Sequence, residues 1–219
     1  MRFALDEVIK EIERNRNVAC EVVYGPSGML TSQIVQGAPF DIFISADPDY
    51  LDKISKLKNT EVVSKRKYIN GKLAIWSKNT ASKDLSSLLL NKETQRIAIA
   101  NPKIAPYGRA SIEYLANIGI LDSIRSKIVY GNSVSQVNQF VISGNVDMAI
   151  TAFSSQLDKQ KGFRGLWQEI PSERYTPITH SIMVLQKPKS NSNTLKLYNY
   201  LLSDSAAEIL SNFGYSIID

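Results

Sequence analysis

Short apolar strands and amphipathic helices alternate in two separate blocks of this chain, and that alternation leaves few folds open. Leu5, Val8, Ile9 and Ile12 recur at helical spacing, with Glu, Lys and Arg on the other side, and predict an opening helix. Val18 to Tyr24 reads as a strand and Gly25-Pro26-Ser27-Gly28 as a turn. A second helix runs from about Met29 to Val35, stopped by Gly37 and Pro39. Phe40 to Ser45 is nearly all apolar, as a strand covered on both faces would be. Asp47 then caps a helix with Pro48 at its first position, and Leu51, Ile54 and Leu57 mark its buried side. Strand, helix, strand, helix is the pattern of a parallel sheet.

The pattern resumes later. Arg96 to Ala100, Lys127 to Tyr130 and Val146 to Thr151 read as strands. The helices between them are Tyr107 to Ile118 and one opened by Ser133, with Gln136 completing a capping box. Val134, Val137 and Val141 form the latter's apolar stripe, and Ser154 is placed to cap a further helix. Leu73 to Trp76 and Ser181 to Leu185 are apolar strands on either side of this second block. Helices from about Thr194 to Leu202 and Asp204 to Phe213 close the chain, with Gly214 as the stop. The economical arrangement is two α/β lobes, each a mainly parallel sheet flanked by helices, joined by two crossing strands. Lobe one would be residues 1–75 plus 180–219, and lobe two residues 76–179. Such a hinge topology binds ligands between its lobes.

Composition narrows the function. The chain has 219 residues, 43% hydrophobic and 21% charged, with one cysteine, Cys20. That is ordinary globular composition, and an internal disulfide is impossible. No run of about 18 apolar residues predicts a membrane span, and the acidic opening MRFALDEVIKEIE is unlike a signal peptide. The net charge of +5 is spread along the chain. The densest run, Lys65-Arg66-Lys67, is followed by no nucleic-acid motif, so a nucleic-acid partner is not expected.

The catalytic inventory is thin. His180 is the only histidine, so a site built on two His or on Cys and His ligands is not available. No nucleophile elbow, P-loop or G-x-G-x-x-G is present. Asp41, Asp47 and His180 are the only candidates for proton transfer, and Asp47 is better read as a helix cap and His180 as structural. What remains are small polar turns that end strands and open helices: Gly25 to Gly28, Pro106-Tyr107-Gly108, Asn132-Ser133-Val134 and Ala152-Phe153-Ser154. Each is individually a routine cap. Together, at the edge where open α/β sheets place ligands, they suit an anion.

The stretch Gly25-Pro-Ser-Gly-Met-Leu-Thr-Ser-Gln-Ile-Val-Gln-Gly-Ala-Pro-Phe-Asp-Ile-Phe-Ile-Ser-Ala-Asp47 resembles the molybdate-binding proteins of ABC transporters, periplasmic binding proteins of the type II fold. Asn101-Pro102 with Ala105-Pro106-Tyr107-Gly108 is similar to the family's second-lobe ligand turn. Ala206-Ala207-Glu208-Ile209-Leu210, followed by Phe213-Gly214-Tyr215, is similar to its closing helix. The resemblance implies a tetrahedral oxyanion, molybdate or tungstate, held in a closed cleft by neutral donors and without a cofactor or a direct metal ligand. By position, Ser27 would donate its hydroxyl and N–H, Gly28 would allow close backbone approach, and Tyr107 and Val134 would donate backbone N–H groups. Asp47, Gly108, Arg109, Ser133, Ala152 and Phe153 would support them. A monomer in the periplasm, delivering its anion to a membrane permease, is implied in the same way. Another oxyanion such as sulfate, an enzyme on the same architecture, or the sensing domain of a regulator are the alternatives.

The sequence departs from that pattern in three places. Relatives begin with a strand and a serine-bearing turn before the opening helix, and here Met1 stands almost where that turn should end. This predicts a longer native chain, and weak or absent oxyanion binding by the 219-residue form. Intact mass of the protein from its source tests the first expectation and calorimetry the second. Ala152 and Phe153 stand where some relatives place a tyrosine hydroxyl on the anion. Tyr107 occupies a position that is often small, so its ring would narrow the cleft or bring a hydroxyl of its own.

Overall fold

The computed structural model describes residues 1–16, 18–57, 61–78, 84–157, 164–186 and 192–218. It forms two compact units, Met1–Gly71 with Thr179–Asp219, and Lys72–Ile178.

The first unit opens with α1 (Arg2–Arg16), whose apolar face buries Leu5, Val8, Ile9 and Ile12. Helix α2 (Ser27–Val35) starts two residues earlier than its apolar pattern suggests. Strand β1 (Ile42–Ser45) leads into α3 (Pro48–Ser55), capped by Asp47 with Pro48 in the first turn. Strand β2 (Glu61–Gly71) is long and was not read from the sequence. Its solvent-facing Lys65, Arg66 and Lys67 hide the strand signal, because alternation is visible only where one face is apolar.

The chain then enters the second unit through β3 (Leu73–Ser77) and a short α4 (Leu85–Leu88). There follow β4 (Ile97–Ala100), α5 (Pro106–Asn117), α6 (Leu121–Ile124), β5 (Ile128–Gly131), α7 (Val134–Ile142), β6 (Met148–Ala152) and β7 (Leu166–Glu169). Ser154 does not cap an α-helix; it lies inside a single 3₁₀ turn, Phe153–Leu157. The chain returns through β8 (Ile178–Gln186), α8 (Ser192–Leu201), α9 (Asp204–Asn212) and β9 (Ser216–Ile217).

In the second unit the sheet order is β5-β4-β6-β3-β7. Strands β5, β4 and β6 are parallel, as βαβ crossovers require, while β3 and β7 add on antiparallel to β6 and β3 respectively. Trp76 and Trp167 sit directly opposite on β3 and β7 and stack with ring centroids 4.6 Å apart. The all-buried strands β3, β4 and β6 form the floor of this unit.

In the first unit the order is β1-β8-β2-β9, and the described ladders, β1 with β8 and β2 with β9, are antiparallel. The sequence pattern suggested parallel neighbours here. The difference arises because β8 comes back from the second unit running against β1, a direction set by the return path and invisible in local periodicity. Residues 18–24 are a second correction. Their side chains alternate as a strand's would, with Val18 buried and Glu21 and Val23 exposed, yet no described strand pairs with them. An extended segment becomes a strand only when another takes up its amides and carbonyls, and no described ladder reaches it.

Two apolar clusters hold the first unit. One joins α1 to β2, β8, α8 and α9 through Val8, Ile12, Ile69, Ile182, Leu201 and Leu210. The other packs α2 and α3 on β1 and β8 through Ile34, Phe43, Leu51, Ile54 and Met183. In the second unit Val137 and Val141 of α7 bury against Ala98, Ala100 and Ala149 of the sheet. Val134, expected on the same stripe, is only partly buried, because it lies at the open end of the helix.

His180, on β8, is 3% exposed and lies edge-on to Tyr215, with ring centroids 5.5 Å apart. Burial, and secondly the N-terminal ammonium, push its pKa down to about 3 from 6.5. The native state therefore holds it neutral while the unfolded chain takes up a proton below pH 6.5. The stability this contributes is present above about 6.5 and lost as pH falls toward 3. We expect His180→Gln to remove this component. In urea titrations between pH 7 and 4, the parent should lose on the order of a few kcal/mol more than the variant.

Candidate functional site

In the first unit the turn Gly25–Gly28 sets the geometry. Pro26 precedes α2 in an extended conformation, and no side chain caps the helix. The first amide turned back into the helix is that of Leu30, on the Pro26 carbonyl at 3.1 Å. The amides of Ser27, Gly28 and Met29 thus stand at the positive end of the helix with no intrahelical acceptor. Ser27 is 8% exposed. Its hydroxyl oxygen accepts from the Ala46 N–H at 3.3 Å, which ties the start of α2 to the end of β1. That bond uses a lone pair and leaves the O–H to donate.

Gly28 sits against Tyr50 of α3: a Cβ built on it would stand 3.1 Å from the tyrosine hydroxyl. Asp47 caps α3, its carboxylate accepting from the Asp49 N–H at 2.9 Å. Ser45 braces it, donating to the Asp47 carbonyl at 2.8 Å and accepting from its N–H at 3.1 Å. Asp47 therefore supports the end of β1 next to Ala46.

In the second unit two helix starts matter. Helix α5 begins Pro106-Tyr107-Gly108-Arg109 with no side-chain cap at Ala105. Pro106 has no N–H, and the amides of Gly108 and Arg109 both turn back to the Ala105 carbonyl, at 3.0 and 3.2 Å. Tyr107 is buried, with 6% exposure, whereas Arg109 is exposed. Gly108 is the close-approach residue: a Cβ there would lie 2.1 Å from the Ala100 carbonyl oxygen at the end of β4.

Helix α7 is capped by Ser133, whose hydroxyl accepts from the Gln136 N–H at 3.1 Å. The reciprocal arm of the predicted box reaches one residue further back: Gln136 Oε1 accepts from the Asn132 N–H at 2.6 Å. These bonds, and that of Val137 N–H to the Ser133 carbonyl at 3.0 Å, leave the Val134 and Ser135 amides facing out of the helix start.

Ala152 ends β6 and is buried. Phe153 is committed differently from a donor: its N–H is given to the Lys72 carbonyl at 2.9 Å. Sequence reasoning missed a buried trio beside these residues. Asn138, one turn into α7, accepts from Thr151 Oγ1 at 2.7 Å and donates to Ser155 Oγ at 2.9 Å. A signal was present, since Asn138 and Thr151 are polar residues at positions that periodicity assigns to the interior.

The candidate groups thus fall into one set per unit. Ser27 and Gly28 lie at a bare helix start in the first unit. Tyr107, Gly108, Ser133 and Val134 lie at two helix starts of the second, beside the Ala152-Phe153 turn. The donors are backbone amides and a hydroxyl, which suit a compact anion and supply no group poised for proton transfer.

The family described as bacterial extracellular solute-binding protein matches residues 1–216. The chain belongs to that family. It is 33% identical over 214 residues to the molybdate-binding protein ModA of Azotobacter vinelandii, covering 97% of this chain and 85% of the relative. It is 33% identical over 192 residues to ModA of Rhodobacter capsulatus, covering 88% of this chain and 75% of that one. The solved periplasmic molybdate-binding protein of Azotobacter vinelandii superimposes with a TM-score of 0.89 at 28% identity, covering 100% of this chain and 96% of the other. The sulfate-binding protein SubI of Mycobacterium tuberculosis shares the fold, with a TM-score of 0.76 at 13% identity. The α/β architecture read from the strand and helix pattern is the architecture of these binding proteins.

Proposed function

We propose that this chain is the solute-binding component of a molybdate uptake system, which captures the tetrahedral oxyanion and hands it to an ABC transporter permease. The observation that carries this reading is the 33% identity to molybdate-binding proteins along nearly the whole chain. The site chemistry supports it. Ser27 and Gly28 on one unit, and Tyr107 and Val134 on the other, sit at helix starts that offer neutral donors. Such donors replace the hydration shell of a dianion without a countercharge, and a cage of fixed size selects by radius. Asp47, Ser133, Gly108, Arg109, Ala152 and Phe153 act around the donors rather than on the anion. In this reading the protein is a periplasmic monomer that binds and releases its ligand without catalysis. The two units, Met1–Gly71 with Thr179–Asp219 and Lys72–Ile178, take the place of the 1–75 plus 180–219 and 76–179 division and act as two lobes about a hinge.

Tungstate is nearly the size of molybdate, whereas sulfate is smaller. A thermal-shift series at millimolar anion tests the reading. Molybdate and tungstate are expected to raise the melting midpoint to similar extents and sulfate much less, since stabilisation grows with ligand concentration over Kd. A response to sulfate alone would overturn the molybdate assignment in favour of another oxyanion.

A further inference from the structure

Helix α7 carries one polar side chain on its buried face. Asn138 is 3% exposed and lies one turn beyond Val134, so about 6 Å of rigid helix separates them. The rest of that face, Val137 and Val141, packs on the sheet through apolar contacts, which resist separation but have little directional preference. Asn138 adds direction. Its carboxamide oxygen accepts from Thr151 Oγ1 of β6 at 2.7 Å, and its NH₂ donates to Ser155 Oγ at 2.9 Å, in the turn that follows β6. Thr151 and Ser155 are themselves 1% and 3% exposed. The same turn is anchored at its start by the Phe153 N–H on the Lys72 carbonyl, at 2.9 Å.

We propose that Asn138 is a positioning residue for the anion donors of the second unit, clamping the start of α7 to β6 and its following turn through Thr151 and Ser155. This rests on the oxyanion reading above. Its physical basis is the contrast between the polar trio and what a leucine would do at the same place. An apolar side chain would pack as well as its neighbours Val137 and Val141, and burying an amide and two hydroxyls is costly unless all are paired. Paired, they fix the rotation and the height of the helix over the sheet, because a shift of about 1 Å breaks both bonds. The Val134 amide, carried on the first turn of the same helix, inherits that fixed position. A cage that selects by anion radius needs this, since a loosened donor fits anions of different size about equally.

The test uses Asn138→Leu and the milder, nearly isosteric Thr151→Val, with Thr151→Ser as the conservative control. Molybdate and sulfate affinities are measured by calorimetry, and amide hydrogen exchange is followed in the anion-free protein. Asn138→Leu is expected to weaken molybdate binding about tenfold and to shrink the molybdate-to-sulfate preference by a similar factor. Thr151→Val should do the same to a smaller degree, and Thr151→Ser should restore the parent's values. In the anion-free protein, residues 136–139 and 153–156 should exchange several-fold faster together, with residues 97–100 unchanged. Variants that melt at lower temperature but keep the parent's preference and exchange pattern would reduce the trio to core packing and overturn the proposal. So would acceleration spread evenly over the second unit. If the parent binds neither anion, the affinity measurement says nothing of the clamp, and the exchange measurement alone decides whether it exists.

Discussion

Gly108→Ala is expected to destabilise the second unit by about 3 kcal/mol or more, although alanine is the better helix former. Two effects oppose each other here. Within a helix, alanine gains about 1 kcal/mol over glycine. Against this, the new methyl would stand 2.1 Å from the Ala100 carbonyl oxygen and 2.9 Å from the Asn101 carbonyl carbon. These are backbone atoms. The Ala100 residue is held in the sheet, paired with Gly131 of β5, and the Asn101 N–H is bound to the Gly131 carbonyl at 2.8 Å. Helix α5 must therefore retreat from β4, which opens the contacts of buried Tyr107, Ala110 and Ser111. The clash wins. Urea denaturation should show a lower midpoint, and molybdate affinity should fall with it because the Tyr107 amide moves with the helix. An unchanged midpoint would show that α5 is seated more loosely than this close approach requires.

Ser27→Ala is expected to separate binding from stability. A hydrogen bond to a charged group contributes about 1.5–3 kcal/mol, so removing the hydroxyl should weaken molybdate binding by roughly 10- to 100-fold. The stability cost is smaller. Among the described residues the hydroxyl's partner is the Ala46 N–H, at a long 3.3 Å, and Ala46 is partly exposed, so water can take its place. A loss of about 1 kcal/mol or less is expected in denaturant titrations without ligand. Titrating molybdate against the melting midpoint of parent and variant reads both quantities. Equal affinity in the two proteins would remove Ser27 from the set of donors.

Neutral donors also change the meaning of the chain's net charge of +5. Among the described residues the basic side chains lie largely on exposed faces, such as Lys65, Arg66 and Lys67 of β2. Under the proposed reading such charge would assist encounter with a dianion over a Debye length and leave the holding of the anion to the neutral donors.

Much of the fold was legible because its signals are local. The helix faces of Leu5, Val8, Ile9 and Ile12, and of Leu51 and Ile54, are stated by spacing alone. So are the Asp47 cap with Pro48 and the Ser133 cap with Gln136, since each needs only residues within a turn of one another. The helix starts that form the candidate site belong to this class, and their amides face outward because a helix always begins that way.

What local spacing could not state is pairing at a distance. Val18 to Tyr24 has the alternation of a strand and none of its ladder, because a ladder is made by a second segment and not by the first. Strand β2 lacks clear alternation and is a strand all the same, because β8 and β9 flank it in the sheet, the latter from nearly 150 positions away. The antiparallel match of β1 with β8 depends on the route the chain takes home. At the site the same division holds. The amino-acid sequence by itself determined that Ser27, Gly28, Tyr107 and Val134 stand at helix starts, because capping and turn chemistry act over a few residues. Only the tertiary structure decided that Phe153 spends its amide on Lys72, that Gly108 must be bare against Ala100, and that Asn138 reaches Thr151 and Ser155. Those contacts join residues far apart along the chain, and only the packed arrangement sets their distances.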